Sequence, residues 1–291
     1  MTAQHLFAVL FNAGIAVSIG ATVASLGLSF SLSQLVAPLR RVWLVTAVIV
    51  LNAAVLPAAA WGIAKVSPMG SQYVAGLVLA AIGMGSAGAL KAAQLAKRAD
   101  LALAVSLVVV LQLVDIVAVP LWAGHVASGA SISGWDIVKD LLLLVLAPLA
   151  VGLALRVRYP DEASGWQPPL VRASNLALVI ALTTGIAANW ATIVTMLGSW
   201  VIVTAVVIVI VGLLAGAAIG GKNPNTRNAT TLVSGMRFSS LGLIIIGTQL
   251  GGGANYMGPA ITFSLVGLIL PMLLAVEMGR RHARAPAAPS A

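Results

Sequence analysis

Three charged side chains stand inside long apolar segments, and their types indicate what chemistry the protein carries out. Lys91 and Arg237 each follow a run rich in glycine and serine, and Asp115 lies within a third apolar run. A charge near the centre of a bilayer costs about 3 kcal/mol on insertion scales, so such groups pair or line a watery cavity. An ammonium and a guanidinium bind carboxylate or sulfonate groups, which makes Lys91 and Arg237 candidate anion-binding residues.

The runs before the two cations predict interrupted helices. Residues 83–88 precede Lys91, and residues 234–236 precede Arg237. Glycine and serine clusters permit the backbone to unwind where protein or water satisfies its polar groups. Such glycines also allow close helix packing without any binding role. Because a cation accompanies the cluster in both segments, the binding interpretation is favoured.

Asp115 has two interpretations. As a coupling site it would exchange a proton, with a proton affinity set by burial and by a nearby cation. As a structural group it would form a permanent salt bridge with Lys91 or Arg237 and only hold the fold. Both interpretations stay open on the sequence.

Four neutral polar residues are further candidates for the binding site. Ser239 and Ser240 stand beside Arg237 and can donate hydrogen bonds to a substrate, or bond to a carbonyl four residues earlier. Asn12 and Asn52 are single amides within apolar spans, which suits either hydrogen bonding between helices or a place in the cavity wall.

Composition excludes a soluble protein of this length. The 291 residues are 60% hydrophobic and 8% charged, whereas soluble domains carry about 25% charged residues. The net charge of +9 is spread over short breaks between apolar runs, so no nucleic-acid partner is expected. The chain has no cysteine, and its three histidines lie outside the apolar spans, so we expect no metal centre and no cofactor.

The apolar runs predict an all-α polytopic membrane protein. A bilayer core of about 30 Å needs about 20 apolar residues per helix, and long runs without alternation favour helices over a barrel. The chain contains nine such spans, with the longest connection at residues 157–170. The predicted spans are residues 6–30, 42–64, 72–96, 101–123, 135–156, 171–193, 197–220, 229–250 and 256–278.

Basic residues predict the orientation. One side of the membrane carries 12 of the 16 basic residues, and the other side carries only Lys65 and Lys139. The positive-inside rule then places the N-terminus outside and the C-terminus in the cytoplasm of a cell inner membrane. The basic residues on the predicted cytoplasmic side are Arg40, Arg41, Lys97, Arg98, Arg156, Arg158, Arg172, Lys222, Arg227, Arg280, Arg281 and Arg284.

The two interrupted spans divide the chain into halves of opposite orientation. Residues 1–124 hold four spans with a broken helix at 72–96, and residues 125–279 hold five with a broken helix at 229–250. Residues 280–291 form a cytoplasmic tail. Interrupted helices at matching places in inverted halves mark the binding site of secondary transporters, so we expect inverted repeats with two crossed discontinuous helices.

The same segments resemble the bile acid:sodium symporter family. Residues 97–105 are similar to the turn after that family's first crossover helix, and Val119-Pro120 to the end of the following helix. Residues 227–242, with Gly235-Met236, resemble the second crossover. Span order and loop lengths fit the nine-helix form over nearly the whole chain.

The positions that the resemblance assigns to sodium ligands lack oxygen in the first half. The family's Ser-Asn pair matches Leu90 and Lys91, or Ala89 and Leu90 if the following turn has one inserted residue. The Ser and Thr ligands of the next helix match Ala104 and Val108. Sodium ligation by side chains is lost in either register.

The second half departs in the same way. The family's Glu, Gln and Asn ligands match Val233, Arg237 and Phe238. A fixed cation can occupy the place of a bound metal ion, so our hypothesis is that Lys91 and Arg237 substitute for two sodium ions.

The predicted function is sodium-independent secondary transport of a small organic anion by alternating access. The expected partners are that anion and the lipid bilayer, with the proton left open as a coupling ion. One alternative is a proton-coupled efflux carrier, and another is a non-transporting sensor or assembly subunit. No catalytic constellation stands out, so an enzyme is not expected.

Overall fold

The computed structural model describes residues 3–29, 40–126, 133–188, 190–196 and 199–284, and these residues form helices joined by short turns, with no strand among them. In a bilayer the backbone must satisfy its own hydrogen bonds, which the long apolar runs do as helices. The helices are α1 (Ala3–Ser29), α2 (Val42–Val50), α3 (Leu56–Val66), α4 (Ser71–Ile82), α5 (Gly88–Leu95), α6 (Leu101–Val126), α7 (Gly134–Leu141), α8 (Ala147–Arg158), α9 (Pro160–Ala188), α10 (Trp190–Met196), α11 (Trp200–Ile219), α12 (Pro224–Gly235), α13 (Ser239–Gln249) and α14 (Ala254–Arg284).

Eight helical stretches in the described part of the chain are long and apolar enough to cross a membrane. They correspond to eight of the nine predicted spans. The remaining one, residues 72–96, consists of the shorter helices α4 and α5, so a ninth crossing stays a prediction. Two π-helical turns, Leu51–Val55 and Leu142–Leu146, join α2 to α3 and α7 to α8 within continuous spans.

The predicted connection at residues 157–170 is wrong, because this segment is helical. Helix α8 ends at Arg158 and α9 begins at Pro160, so only Tyr159 separates them. Proline suits the first position of a helix, and Asp161 and Glu162 in the first turn suit its positive end. At the other end of the chain, α14 runs to Arg284, inside the predicted tail, and residues 285–291 lie outside the described residues.

Packing divides most helices into two groups. Helix α1 packs on α8 and α9, while α14 packs on α4 and α11, and α11 packs on α12. Helix α6 contacts both interrupted helices, through α4 and α5 on one side and α12 on the other. The two interrupted helices therefore lie at the centre of one group, facing the α1–α9 pair.

The two breaks meet directly. Helix α4 unwinds after Ile82 and helix α12 after Gly235, and the Phe238 amide donates to the Gly83 carbonyl over 3.0 Å. A Cβ atom on Gly83 would lie 2.4 Å from the Phe238 carbonyl oxygen, and one on Gly242 would lie 2.2 Å from that of Leu79. Glycine is required at both positions because the backbones touch, as expected for crossed discontinuous helices.

A methyl group at Gly83 tests this contact. The backbone there is extended, with φ of −61° and ψ of 139°, so alanine is strained only by the neighbouring carbonyl. We expect Gly83→Ala to destabilise the protein by ~2 kcal/mol or more, seen as a lower melting temperature in detergent. Gly62→Ala is the control, because no atom lies within 4 Å of its added Cβ and alanine favours the helix. Equal melting temperatures for the two variants would contradict a tight crossing at Gly83.

Candidate functional site

The guanidinium of Arg237 joins the two broken helices. It lies in the second break, and its Nε donates to the Ala81 carbonyl (2.6 Å) while Nη2 donates to the Ile82 carbonyl (3.0 Å). Nη1 donates to Oδ1 of Asn52 (2.9 Å), and Nη2 also donates to the Asn52 carbonyl (3.2 Å). Four oxygens from two other segments thus surround one buried cation.

Each of these backbone oxygens lacks a hydrogen-bond partner within its own helix for a local reason. Ala81 and Ile82 are the last residues of α4, whose final carbonyls have no amide one turn ahead. The Asn52 carbonyl stands in a π-helical turn, where the next donor in register would be residue 57. That residue is Pro57, which has no N–H.

Pro57 leaves a second carbonyl without a backbone donor, and another side chain donates a hydrogen bond to it. In α-helical register the proline amide would bond to Ala53, whose carbonyl instead accepts the indole N–H of Trp122 over 2.8 Å. The π-helical turn and the proline together therefore turn two backbone carbonyls toward side-chain donors.

Asn52 is fixed as a bridge and does not line the cavity described below. Its side-chain amide donates to the Val48 carbonyl (2.9 Å) and to Oγ of Ser234 (3.0 Å), while its Oδ1 accepts from Arg237. Both Asn52 and Ser234 are completely buried. The amide thus links the second span to the end of α12, just before the second break.

Asp115 holds the first break from the other side. Both carboxylate oxygens accept from the Met84 amide at 3.0 Å. Asp115 and Arg237 are the only buried charged residues in the described part of the chain, and their charges attract each other. Neither Arg237 nor Lys91 has a carboxylate oxygen within 4.0 Å among the described residues, so Asp115 forms no direct salt bridge.

Lys91 differs from Arg237 in its surroundings. It lies one turn into α5, is exposed, and its Nζ donates to Oδ1 of Asn175 on α9 over 2.9 Å. An ammonium has three donors, and this is the one partner found among the described residues. The hydrogen bond spans the space between the interrupted helices and the α1–α9 pair.

That space is a cavity of about 460 Å³. Lys91, Arg237, Ser239 and Ser240 all line it, so four of the predicted site residues share one cavity. Asp115 is not in its lining. Asn12 lies in α1, but its side chain is outside the described residues.

Besides the four predicted residues, neutral polar groups line the cavity, most of them from α1 and α9. Helix α1 presents hydroxyl groups at a helical spacing, and α9 adds a hydroxyl and two amides. These residues are Ser18, Thr22, Ser25 and Ser29 of α1, and Gln167, Ser174 and Asn175 of α9. Apolar side chains line the cavity from both sides, among them Leu26 of α1, Leu178 of α9, Leu243 of α13, and Leu268 and Met272 of α14. The spacing of the α1 hydroxyls was available in the sequence as a signal for a cavity wall.

Gln112, like Asn175, is a residue that the sequence analysis did not single out. It is completely buried on α6, one turn before Asp115, and neither its Nε2 nor its Oε1 has a hydrogen-bond partner among the described residues. It packs against Gly85, where φ is +66° and a Cβ would lie 3.0 Å from Cγ of Gln112. An unpaired buried amide costs about 1–3 kcal/mol, and such groups in native proteins call for an explanation.

A known protein family is similar to this chain. A model of the sodium bile acid symporter family matches residues 16–216, which is more than half of the chain. The matched range includes the first break and Lys91, and it ends before the second break. No curated protein matches the chain.

Removing the unpaired amide of Gln112 is expected to stabilise the protein. Leucine is similar in size and has no polar atom to satisfy, so Gln112→Leu should add ~1–3 kcal/mol and raise the melting temperature in detergent. Gln94→Leu, which changes an exposed glutamine in the cavity wall, is the matched control and should change the melting temperature little. A lower melting temperature for Gln112→Leu would mean that the amide has a partner in the folded protein.

Proposed function

Because the chain belongs to the sodium bile acid symporter family, whose members are membrane transporters, we propose that it is a secondary transporter of a small organic anion. The described residues include eight helical stretches long and apolar enough to cross a membrane, and the chain is a multi-pass membrane protein. The observation that carries the proposal is the Lys91 ammonium, which is exposed in a cavity beside the two broken helices.

The two cations have different roles in this proposal. Arg237 uses four hydrogen bonds on carbonyl-type oxygens, which leaves one N–H of its five for a ligand. Lys91 uses one hydrogen bond and keeps two N–H groups for a ligand. Lys91 therefore contacts the anion, whereas Arg237 holds the broken helices in place and contributes its charge.

The anion site has three further sources of attraction. Ser239 and Ser240 begin α13 and line the cavity, and neither hydroxyl has a hydrogen-bond partner among the described residues. The N-terminus of a helix carries a partial positive charge with unpaired amides, which favours an anion. Ammonium, hydroxyls and helix end together suit a carboxylate or sulfonate.

Sodium independence is supported by what occupies the expected ion positions. Leu90, Ala104, Val108 and Val233 are buried and carry no side-chain oxygen, and Ala89 is buried as well. The carbonyl oxygens that a cation would seek are already bonded to Arg237. In this proposal the guanidinium is a tethered cation, and no sodium ion is needed to hold the breaks together.

Alternating access would move the two helix groups relative to each other. The Lys91–Asn175 hydrogen bond joins them across the cavity, and an anion bound to Lys91 would compete with Asn175. Inverted repeats over residues 1–124 and 125–279, with a ninth crossing at 72–96, would supply the second, oppositely open state.

The orientation proposed from the basic residues makes the present state open to the cytoplasm. Gln94 and Leu101, which flank the basic turn at Lys97 and Arg98, line the cavity, as does Gln167. The cavity thus extends from the breaks toward the basic face. In the cell membrane, that face would be cytoplasmic, as would the C-terminus.

Ligand binding tests the proposal and the role of Lys91. A panel of small carboxylates and sulfonates should contain anions that raise the melting temperature equally in sodium and in potassium. Lys91→Met should weaken the best ligand roughly tenfold or more, the loss expected for one charged hydrogen bond. The control is Lys65→Met, because Lys65 lies over the Trp61 ring and outside the cavity.

Uptake of that ligand into proteoliposomes then separates the alternatives. We expect uptake that is unchanged when sodium is replaced by potassium. Uptake that stops without sodium would refute sodium independence. Binding without any uptake would favour a sensor or assembly subunit.

Asp115 tests the proton-coupled alternative. Asparagine keeps an oxygen that can accept from the Met84 amide, so Asp115→Asn changes the charge more than the hydrogen bonding. We expect the pH profile of uptake to stay the same, because the carboxylate lies outside the cavity and holds the first break. A pH profile that becomes flat in Asp115→Asn, but not in the control Asp140→Asn, would instead identify Asp115 as the coupling group.

A further inference from the structure

A second groove, separate from the transport cavity, carries three arginines. Its volume is about 510 Å³, and Arg98, Arg227 and Arg281 line it. They come from three different elements, namely the turn between α5 and α6, the first half of the second broken helix, and the end of α14. None of the transport residues discussed above lines this groove.

The described residues that line the groove carry a net positive charge. Glu277 also lines it and pairs with Nε of Arg281 over 2.7 Å. Arg98 and Arg227 have no carboxylate oxygen within 4.0 Å among the described residues. Three arginines and one glutamate leave a net charge of about +2, which suits a phosphate group.

Below the arginines the groove is apolar. Leu213, Leu214 and Ala217 of α11 and Leu274 and Met278 of α14 line it. Leu214 is 66% exposed, so the apolar part of the groove is accessible at the surface of α11. A ligand that fits has a phosphate at one end and an alkyl chain at the other.

We propose that this groove binds an anionic phospholipid of the membrane, with its headgroup phosphate on Arg98 and Arg227 and an acyl chain between α11 and α14. Basic pockets between membrane helices on the cytoplasmic side are suited to anionic headgroups. The groove lies on the face that carries most of the basic residues, where the headgroups of one leaflet would be.

The site lies on the basic face, where the turn after α5 is joined to the start of α12. The Asp100 amide donates to the Asn225 carbonyl (3.0 Å), and Nδ2 of Asn228 donates to the Arg98 carbonyl (3.0 Å). A lipid phosphate shared by Arg98 and Arg227 would reinforce the same joint. The proposal does not depend on the transported substrate, because it concerns different residues and is tested by lipid binding alone.

Native mass spectrometry of the purified full-length protein tests the site. Phosphatidylglycerol should bind more tightly than phosphatidylcholine with the same acyl chains. Each cation near a membrane surface contributes about 1 kcal/mol, which is roughly fivefold in binding. The double variant Arg98→Gln with Arg227→Gln should therefore weaken the binding of phosphatidylglycerol roughly 30-fold. The matched control is Arg172→Gln with Arg280→Gln, which removes the same charge from exposed positions outside the groove and should retain selective binding.

Two further measurements keep the result clear if the double variant folds poorly. Leu214→Trp fills the apolar part of the groove without changing charge, and it should weaken lipid binding. A photoactivatable phosphatidylglycerol should label wild-type peptides that contain Arg98, Arg227 or Leu214. The proposal is overturned if the control pair loses as much binding, if labelling falls elsewhere, or if inorganic phosphate and soluble glycerophosphoglycerol compete as strongly as the lipid, which would indicate a free-phosphate site.

Discussion

The architecture depends on one buried guanidinium that satisfies the open carbonyls of a helix broken inside the membrane. A helix that ends at mid-depth leaves its last carbonyls without partners, and no bulk water is present to take their place. Arg237 supplies donors to Ala81 and Ile82 at the end of α4, and to the carbonyl and side chain of Asn52. The positive charge also suits the negative end of the α4 dipole. Without this residue, the first break and the π-helical turn would both expose unpaired oxygens.

This constraint explains why two cations in similar segments have different surroundings. Arg237 has a planar fork that can bond several fixed oxygens at once, whereas a lysine offers a compact charge on a flexible stem. The guanidinium is nearly saturated by protein oxygens, and the Lys91 ammonium reaches into the cavity toward Asn175. The residue suited to fixed geometry thus occupies the fixed position, and the adaptable one occupies the cavity. The hypothesis that both cations replace metal ions stays a prediction, and Arg237 is the cation that four protein oxygens surround.

The sequence predicted the parts of this site that depend on local composition. Charges within apolar runs identified Lys91, Arg237 and Asp115, and glycine clusters located both breaks. The sequence did not reveal that Asn52 would bond to Arg237, because the two residues are 185 positions apart. The contact also depends on a π-helical turn and on Pro57, which together leave the Asn52 carbonyl without a helical partner. Asn175 was missed because its segment was assigned to a span without any signal for the cavity, and Gln112 because nothing local marks an unpaired amide. The helical residues 160–170 were not predicted, because proline and polar residues are typical of a loop unless Pro160 is recognised as the first residue of a helix.

A carrier must hold some contacts fixed while others change, and the distribution of hydrogen bonds separates the two kinds. Contacts around the breaks are buried, numerous and made to backbone: Arg237 and Asp115 both bond to main-chain atoms of residues 81–84. Backbone also meets backbone there without room for a methyl group at Gly83. At the cavity, hydrogen bonds between the broken helices and the α1–α9 pair are fewer and more exposed among the described residues. Of these, the Lys91–Asn175 hydrogen bond is the one that involves a charged group. Movement that preserves the first set and breaks the second would keep the broken helices intact, so the cavity boundary is where a change of conformation requires the least loss of bonding.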